Sequence, residues 1–438
     1  GAAAFNQPLE KWNVSAVTNM FRMFYGAAAF NQPLEKWNVS AVTDMEKMFH
    51  QAAAFNQPIG EWNVAAVTNM AGMFQGAAAF NRPIGEWNVA AVTNMACMFQ
   101  GAAAFNQPIG KWNVSSVRSM ESMFNGAVTF NRDIGGWNVS QVVNMRSMFA
   151  SAESFDFHIG NWKVTSVTTM ASMFYGATAF DNADEVLEDA SGVSWDVSKV
   201  EDMSNMFRSA SRFNRYIGDW DVSCVTSMKG MFMEASAFDN HGETFTDSDD
   251  NHWNVAQVID MSEMFYAASN FNRNINKWNV LNVINMSHMF HSASSYDQNL
   301  GSCNMSRVST LASMFRDATN FDQDIEDWDV SEVETMADMF NGASTFNQDL
   351  EDWDVTGVLD MSGMFRNAAL FNGKINGWDV GAVTTMANMF HGASAFNRPV
   401  NSWSVSNVVT MNSMFENATS FDQSLNIWNI SQVKIMSR

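Results

Sequence analysis

The sequence predicts an elongated α/β solenoid of about seventeen 25-residue coils, each with one short helix and one short strand. Three observations carry that reading. Tryptophan recurs every 25 residues, at Trp12, Trp37, Trp62, Trp87, Trp112, Trp137 and Trp162 and onward to Trp428. Apolar and small residues stand at fixed offsets around each Trp. Composition is skewed as a copied unit would skew it, with 34 Met, 35 Phe and 16 Trp but only 6 Pro in 438 residues.

The Trp interval departs from 25 in three places. Two intervals are 33, each holding an eight-residue insertion, and one is 50 because Cys303 occupies the expected Trp site. The sixteen tryptophans together with Cys303 therefore mark seventeen units. We read residues 1–438 as one repeat domain with acidic insertions at about 181–194 and 239–252.

The helix is read from Met20, Met23, Phe24 and Ala27, whose i, i+3, i+4, i+7 spacing lines one helical face. The residue before the first Met is Asn, Asp, Ser or Thr (Asn19, Asp44, Ser119, Thr169), as an N-cap requires. Gly26, Gly76, Gly101 and Gly342, or Asn367 and Asn417, then suit a left-handed C-terminal cap. Two turns, roughly Met20 to Tyr25, are expected in the first coil. The other half-coil runs from Phe5 to Val14, with Phe, Leu/Ile, Trp and Val inward and a short strand between Leu9 and Val14. Pro8, Pro33, Pro58, Pro83 and Pro108 have no N–H, so that column lies outside any inter-coil ladder. One unit cannot bury its apolar face alone, and stacking gives a shared core. At the strand spacing of about 4.8 Å, the stack would be roughly 80 Å long.

The pattern FNQPLxxWNVSxVTNMxxMFxGA resembles the BspA-like leucine-rich-repeat surface proteins in their 25-residue form, over the whole chain. The resemblance implies a right-handed leucine-rich-repeat-like coil. It also implies an extracellular or cell-surface role, in adhesion or protein binding.

Net charge is −22 and unevenly placed: +1 over residues 1–150 and −23 over 151–438. Such a surface repels nucleic acid and anionic lipid and favours divalent cations. No run approaches the length of a membrane span. Cys97, Cys224 and Cys303 sit at three different repeat positions and make no repeating disulfide framework. The chain opens inside a repeat, so the sequence does not speak to a signal segment.

Three sets of residues are candidate sites. The first is the Asx column after Phe, from Asn6 and Asn31 to Asp422, read as a ladder of side-chain amides bonding neighbouring coils, with a ligand-binding ladder as the alternative. The second is the insertion pair. Its carboxylates Asp181, Asp184, Glu185, Glu188, Asp189, Asp239, Glu243, Asp247, Asp249 and Asp250 are oxygen donors of the kind Ca²⁺ takes, although neither loop matches an EF-hand and solvated acidic loops are the simpler reading. The third is the sequon set Asn13, Asn38, Asn113, Asn138, Asn285, Asn304, Asn417 and Asn429, most of them the repeat's own Asn-Val-Ser; Asn13, Asn38, Asn113 and Asn138 are the first candidates for N-glycans.

No Ser/His/Asp or Cys/His constellation, zinc spacing or phosphate loop appears, and the Met and aromatic stripes read as core, so the chain is expected not to be an enzyme. Two roles remain: an adhesion or recognition module acting through its variable columns, and a subunit of an extracellular filament or sheet joined end to end through apolar terminal coils. An ice-binding rod is weaker, because the column of Thr18, Thr43 and Thr68 gives way to Glu201, Ile259 and Lys434. In the twelfth coil Tyr296, Cys303, Met305 and Leu311 leave the pattern together. There the lost Trp should open a cavity that Met305 partly refills.

Overall fold

The computed structural model describes residues 2–189, 191–245 and 253–437. They form two compact units, Gly1–Cys224 and Val225–Arg438, each a stack of coils. Every buried backbone amide needs a partner, and the stack supplies one by alternation. In unit 1 the amides of Met20, Arg22, Phe24 and Gly26 donate to the carbonyls of Asp44, Glu46, Met48 and His50 in the next coil, at 2.7–3.0 Å. The amides between them turn inward: Met23 donates to Met20, Tyr25 to Arg22 and Ala27 to Phe24. In unit 2, Met261, Glu263, Phe265 and Ala267 repeat the pattern onto Asn285, Ser287, Met289 and His291.

This arrangement replaces the expected helix. No α-helix occurs among the described residues, and the Met20–Tyr25 segment is a run of turns. Arg22 has φ +56° and Gly26 φ +67°, and the equivalent residues of the other coils are left-handed too. A left-handed residue three positions after Asn19 ends any right-handed helix before its second turn. Asn19 Oδ1 still accepts the Phe21 amide at 2.7 Å, as a cap would, but it caps a turn. The left-handed state expected at Gly26, Gly76, Gly101, Gly342, Asn367 and Asn417 is present at all six.

The expected strand moves as well. Leu9–Val14 is turn and coil, with the Trp12 amide donating to Leu9. The sheet-like contact lies at the Asn19 column, where single-residue parallel bridges join Asn19 to Asp44, Asp44 to Asn69 and so on through Thr169 to Asp202. Ser227 to Ile435 repeats this in unit 2. One residue earlier, the Thr43 amide donates to the Thr18 carbonyl at 2.8 Å, and Thr68 and Thr93 continue the series.

Inside each unit two phenylalanine columns interlock. Phe30, Phe55, Phe80 and Phe105 stack at 6.0 Å, Phe49, Phe74 and Phe99 at 5.7 Å, and the columns meet at 3.9–4.0 Å, as in Phe49–Phe55 and Phe74–Phe80. These rings are fully buried. The Trp column flanks them, Trp87 and Trp112 lying 6.4 Å apart and nearly parallel. The indole N–H groups of regular coils are used: Trp37 Nε1 donates to the Leu9 carbonyl of the preceding coil at 3.1 Å, and Trp62, Trp87 and Trp112 follow suit, whereas Trp278 Nε1, in the coil after the second insertion, is buried without a partner among the described residues. A Trp at this column therefore both packs and closes a hydrogen bond.

The adjacent glycines Gly135 and Gly136 separate a required glycine from a tolerated one. A Cβ on Gly135 would lie 2.5 Å from the His158 carbonyl oxygen of the next coil, whereas on Gly136 it would meet nothing within 4 Å. Gly135→Ala should cost about 1–3 kcal/mol through this backbone clash. Gly136→Ala should gain about 0.4–1 kcal/mol by restricting the unfolded chain. Paired urea melts check both, and equal effects from the two would contradict the close approach.

In the twelfth coil Tyr296 and Leu311 are fully buried, Met305 nearly so, and Cys303 lies at 6% exposure. Tyr296 stacks in the Phe column, 5.7 Å from Phe271 and 6.2 Å from Phe321, so that ladder continues unbroken. Burial pushes the Cys303 thiol up to about 12, and burial followed by the Cys303 thiol raises Tyr296. The Tyr296 hydroxyl is buried without a hydrogen-bond partner among the described residues, and Cys303 stands where other coils hold an indole.

Candidate binding face and inserted loops

The Asx column forms the expected ladder. Asn6 Oδ1 accepts the Asn31 amide at 2.9 Å, Asn31 accepts Asn56, and the series runs to Asp181 accepting Asn214. In unit 2 it runs from Asp239–Asn272 to Asn397–Asp422. Gln32, Gln57 and Gln107 add their side-chain amides to the same oxygens. The column is structural: only Asn and Asp place a carbonyl oxygen one carbon beyond Cβ, within reach of the next coil's N–H.

The sequon column does different work. Asn13 Oδ1 accepts the amide and hydroxyl of Ser15 at 3.1 and 2.8 Å, and Asn113 bonds Ser115 in the same way. Asn13, Asn38, Asn113, Asn138, Asn304, Asn417 and Asn429 are exposed, and Asn285 is half-buried.

One surface combines a uniform backbone with varied chemistry. The position after the second Phe column reads Tyr25, His50, Gln75, Gln100, Asn125 in unit 1 and Tyr266, His291, Arg316, Asn341, Arg366 in unit 2. The side chains brace one another from coil to coil. Tyr25 stacks on His50 at 4.4 Å, His50 Nδ1 meets Gln75 Oε1 at 2.9 Å, and Gln75 donates to Gln100. Arg22 lies over Phe21 and Tyr25, at 4.7 and 5.2 Å. Burial, with Lys47 and Arg22 nearby, holds His50 below the usual imidazole range against the opposing Gln75 bond. In unit 2, Arg316 reaches Asp317 and Asp338, and Asn341 donates to Asp338 at 2.7 Å.

The insertions are each built in two pieces. Leu187 and Phe245 take the column of Leu9, each accepting the amide of its own Trp, Trp195 and Trp253. Before that anchor stand 3₁₀ turns, Asn182–Asp184 and Asn240–Gly242. All six of their residues have positive φ, so both turns are left-handed. Buried Asn182 ties its turn down, donating to the Glu185 and Val186 carbonyls and accepting the Ile159 amide. The remainder of the first insertion follows Leu187, and residues 246–252 of the second lie outside the described residues.

The candidate calcium ligands divide accordingly. Asp181 is buried and clamped by Arg215, whose Nε donates to Oδ1 at 2.8 Å and whose second amino group pairs with Oδ2. Asp239 is clamped by Arg273 at 2.5–2.7 Å. Each arginine also donates to its turn, to the Asp184 or the Gly242 carbonyl. Asp184 lies 3.7 Å from Arg215 and 3.9 Å from Arg212, and Glu185 and Glu243 face solvent. Ser191 and Val193 bond Asp189 and hold its carboxyl below the usual range, while burial and then Asp219 and Asp189 push Glu188 up. Asp247, Asp249 and Asp250 lie outside the described residues. Among the described residues no three His, Cys, Asp or Glu side chains gather as a metal site, and no helix is long and apolar enough to cross a membrane. Neither the arginine clamps, the indole bonds nor the two-piece insertion was read from the sequence. The signal for the first was an Arg one coil after an Asp: Arg82, Arg132 and Arg398 share the column of Arg215 and Arg273 but follow Asn56, Asn106 and Asn372.

The family model described as "Mycoplasma protein of unknown function, DUF285" matches residues 1–107, 80–186, 177–249, 240–353 and 342–438. No curated protein matches the chain. Among solved structures, it is similar to a leucine-rich repeat protein from Bacteroides ovatus ATCC 8483, at 11% identity over 85% of this chain and 88% of that one, TM-score 0.33. An internalin from Listeria monocytogenes is similar at 8% identity over 81% and 83%, TM-score 0.21. The solenoid itself rests on the chain's own ladders, not on these likenesses.

Proposed function

The chain belongs to the DUF285 family, and from that premise we propose that it is a repeat scaffold that binds protein partners through its variable face, outside the cell or at its surface. One observation carries the reading. Beneath the face the coils, apart from the twelfth, keep the same Phe, Trp, Met and Asx ladders, whereas the column at Tyr25, His50, Gln75, Tyr175 and Arg208 changes chemistry from coil to coil. Fixed core positions with varied, half-buried aromatic and polar groups above them are what an adaptable contact surface needs. Aromatic and arginine side chains are the residues that anchor protein interfaces. The exposed sequons and the resemblance to BspA-like surface proteins support the location and the N-glycans at Asn13, Asn38, Asn113 and Asn138.

Beads coated with the chain test the face when challenged with soluble matrix proteins and with cells. Tyr25→Ala, His50→Ala and Tyr175→Ala together should reduce capture at least tenfold, while Ser15→Ala with Ser40→Ala should not change it. Equal loss from both sets would overturn the face. Antibody labelling of the source cells that appears only after permeabilisation would overturn the location.

A further inference from the structure

We propose that His288 and His291 form a two-nitrogen chelate for a divalent ion of the copper(II) or nickel(II) class. The two residues stand three apart in one coil of unit 2, with His288 at the left-handed position of that coil, φ +57°. Their Nδ1 atoms face each other at 3.1 Å, and the rings lie 5.4 Å apart at 20°. With metal–nitrogen bonds of about 2.0–2.1 Å, nitrogens so placed subtend about 95–100° at a shared ion. That is nearer the cis angle of a square or octahedral centre than a tetrahedral one, and imidazole in tetragonal surroundings suits copper(II) or nickel(II).

The surroundings support both rings as ligands. His291 Nε2 lies 3.8 Å from Asp317 Oδ2. At that distance the carboxylate does not hydrogen-bond the ring, but its charge favours the ring proton on that side and so the lone pair on the opposite nitrogen. The Tyr266 ring covers His291 at 4.5 Å. Of the charged neighbours, Arg316 is engaged by Asp317 and Asp338, and Lys229 lies 3.9 Å from Glu263. No third such side chain joins the pair among the described residues, so water or a partner's donor completes the ion's shell. Without metal, one ring donates its Nδ1–H to the other.

The test uses copper(II) chloride and nickel(II) chloride with the full chain. His288→Asn keeps the left-handed position, which Asn388 holds in another coil; His291→Gln is the second variant and His50→Gln the control. Wild type and control should bind one ion more per chain than either variant. At one equivalent of copper, paramagnetic resonance should show coupling to two imidazole nitrogens, reduced to one or lost in the variants. Thermal melts confirm that each variant is folded. Unchanged stoichiometry and nitrogen coupling in both variants would overturn the chelate.

Discussion

Arg215→Met should lower the stability of unit 1 by about 3–5 kcal/mol, the loss typical when one partner of a buried ion pair is removed. The side chains of Arg215 and Asp181 are 14% and 6% exposed, so the orphaned carboxylate has little water to turn to. Arg273→Met should cost less, because Arg273 and Asp239 keep 28% and 18% exposure. The cost lies in the stranded charge. Asp181→Asn placed on top of Arg215→Met should therefore restore most of the stability, since Asn fills this column in Asn6, Asn31 and Asn56 and can still accept the next coil's amide. Denaturant melts of the single and double variants decide. A double variant no more stable than Arg215→Met would mean that the arginine acts by packing or by holding the left-handed turn.

The second large effect is expected from Trp112→Cys, which copies into a regular coil what the twelfth coil carries at Cys303. Removing the indole should cost about 3–5 kcal/mol. It deletes the stack on Trp87 and Trp137 and the bond from Nε1 to the Ile84 carbonyl at 3.1 Å. Adding Phe105→Tyr and Val114→Met, the residues that accompany Cys303, should recover part of the loss. Hydrogen exchange of the Trp112 coil reads the effect locally, which matters in a stack whose contacts run between neighbours. No recovery in the triple variant would show that Tyr296 and Met305 do not compensate for the missing Trp.

The repeat, its inward columns and the Asx ladder were legible because each leaves a period-25 trace that only packing or a backbone bond explains. The helix was misread for a physical reason. Serial turns closed by i to i−3 bonds bring Met45, Met48, Phe49 and Ala52 inward at the same spacing as a helical face. Spacing alone does not separate the two. Residue type at the outward positions does, since Arg22, Lys47, Cys97 and Ser122 alternate there with Gly72, Gly230 and Gly363 in one left-handed column. The position just before the bridge also had a signal, because Thr18, Thr43, Val143, Ile259 and Leu359 make an exposed column rich in β-branched residues. Among the site residues, Asp181 and Asp239 were singled out as acidic, but their partners lie thirty-four residues on, a distance that no local motif spans.

The alternating bonds set a rule for how the gene can change. Every inter-coil bond beside the bridge joins fixed positions of consecutive repeats, as Met20 to Asp44 and Thr43 to Thr18, so a recombination that adds or removes whole repeats leaves each amide with an equivalent acceptor. A slip by any other length breaks the phase unless, as at Leu187 and Phe245, an anchor side chain restores it. The near-identical opening repeats, GAAAFNQPLEKWNV at residues 1–14 and again at 26–39, are the kind of DNA in which such exchange is frequent. Alleles of this locus are therefore expected to differ in length by whole coils, resizing the variable face without redesigning it.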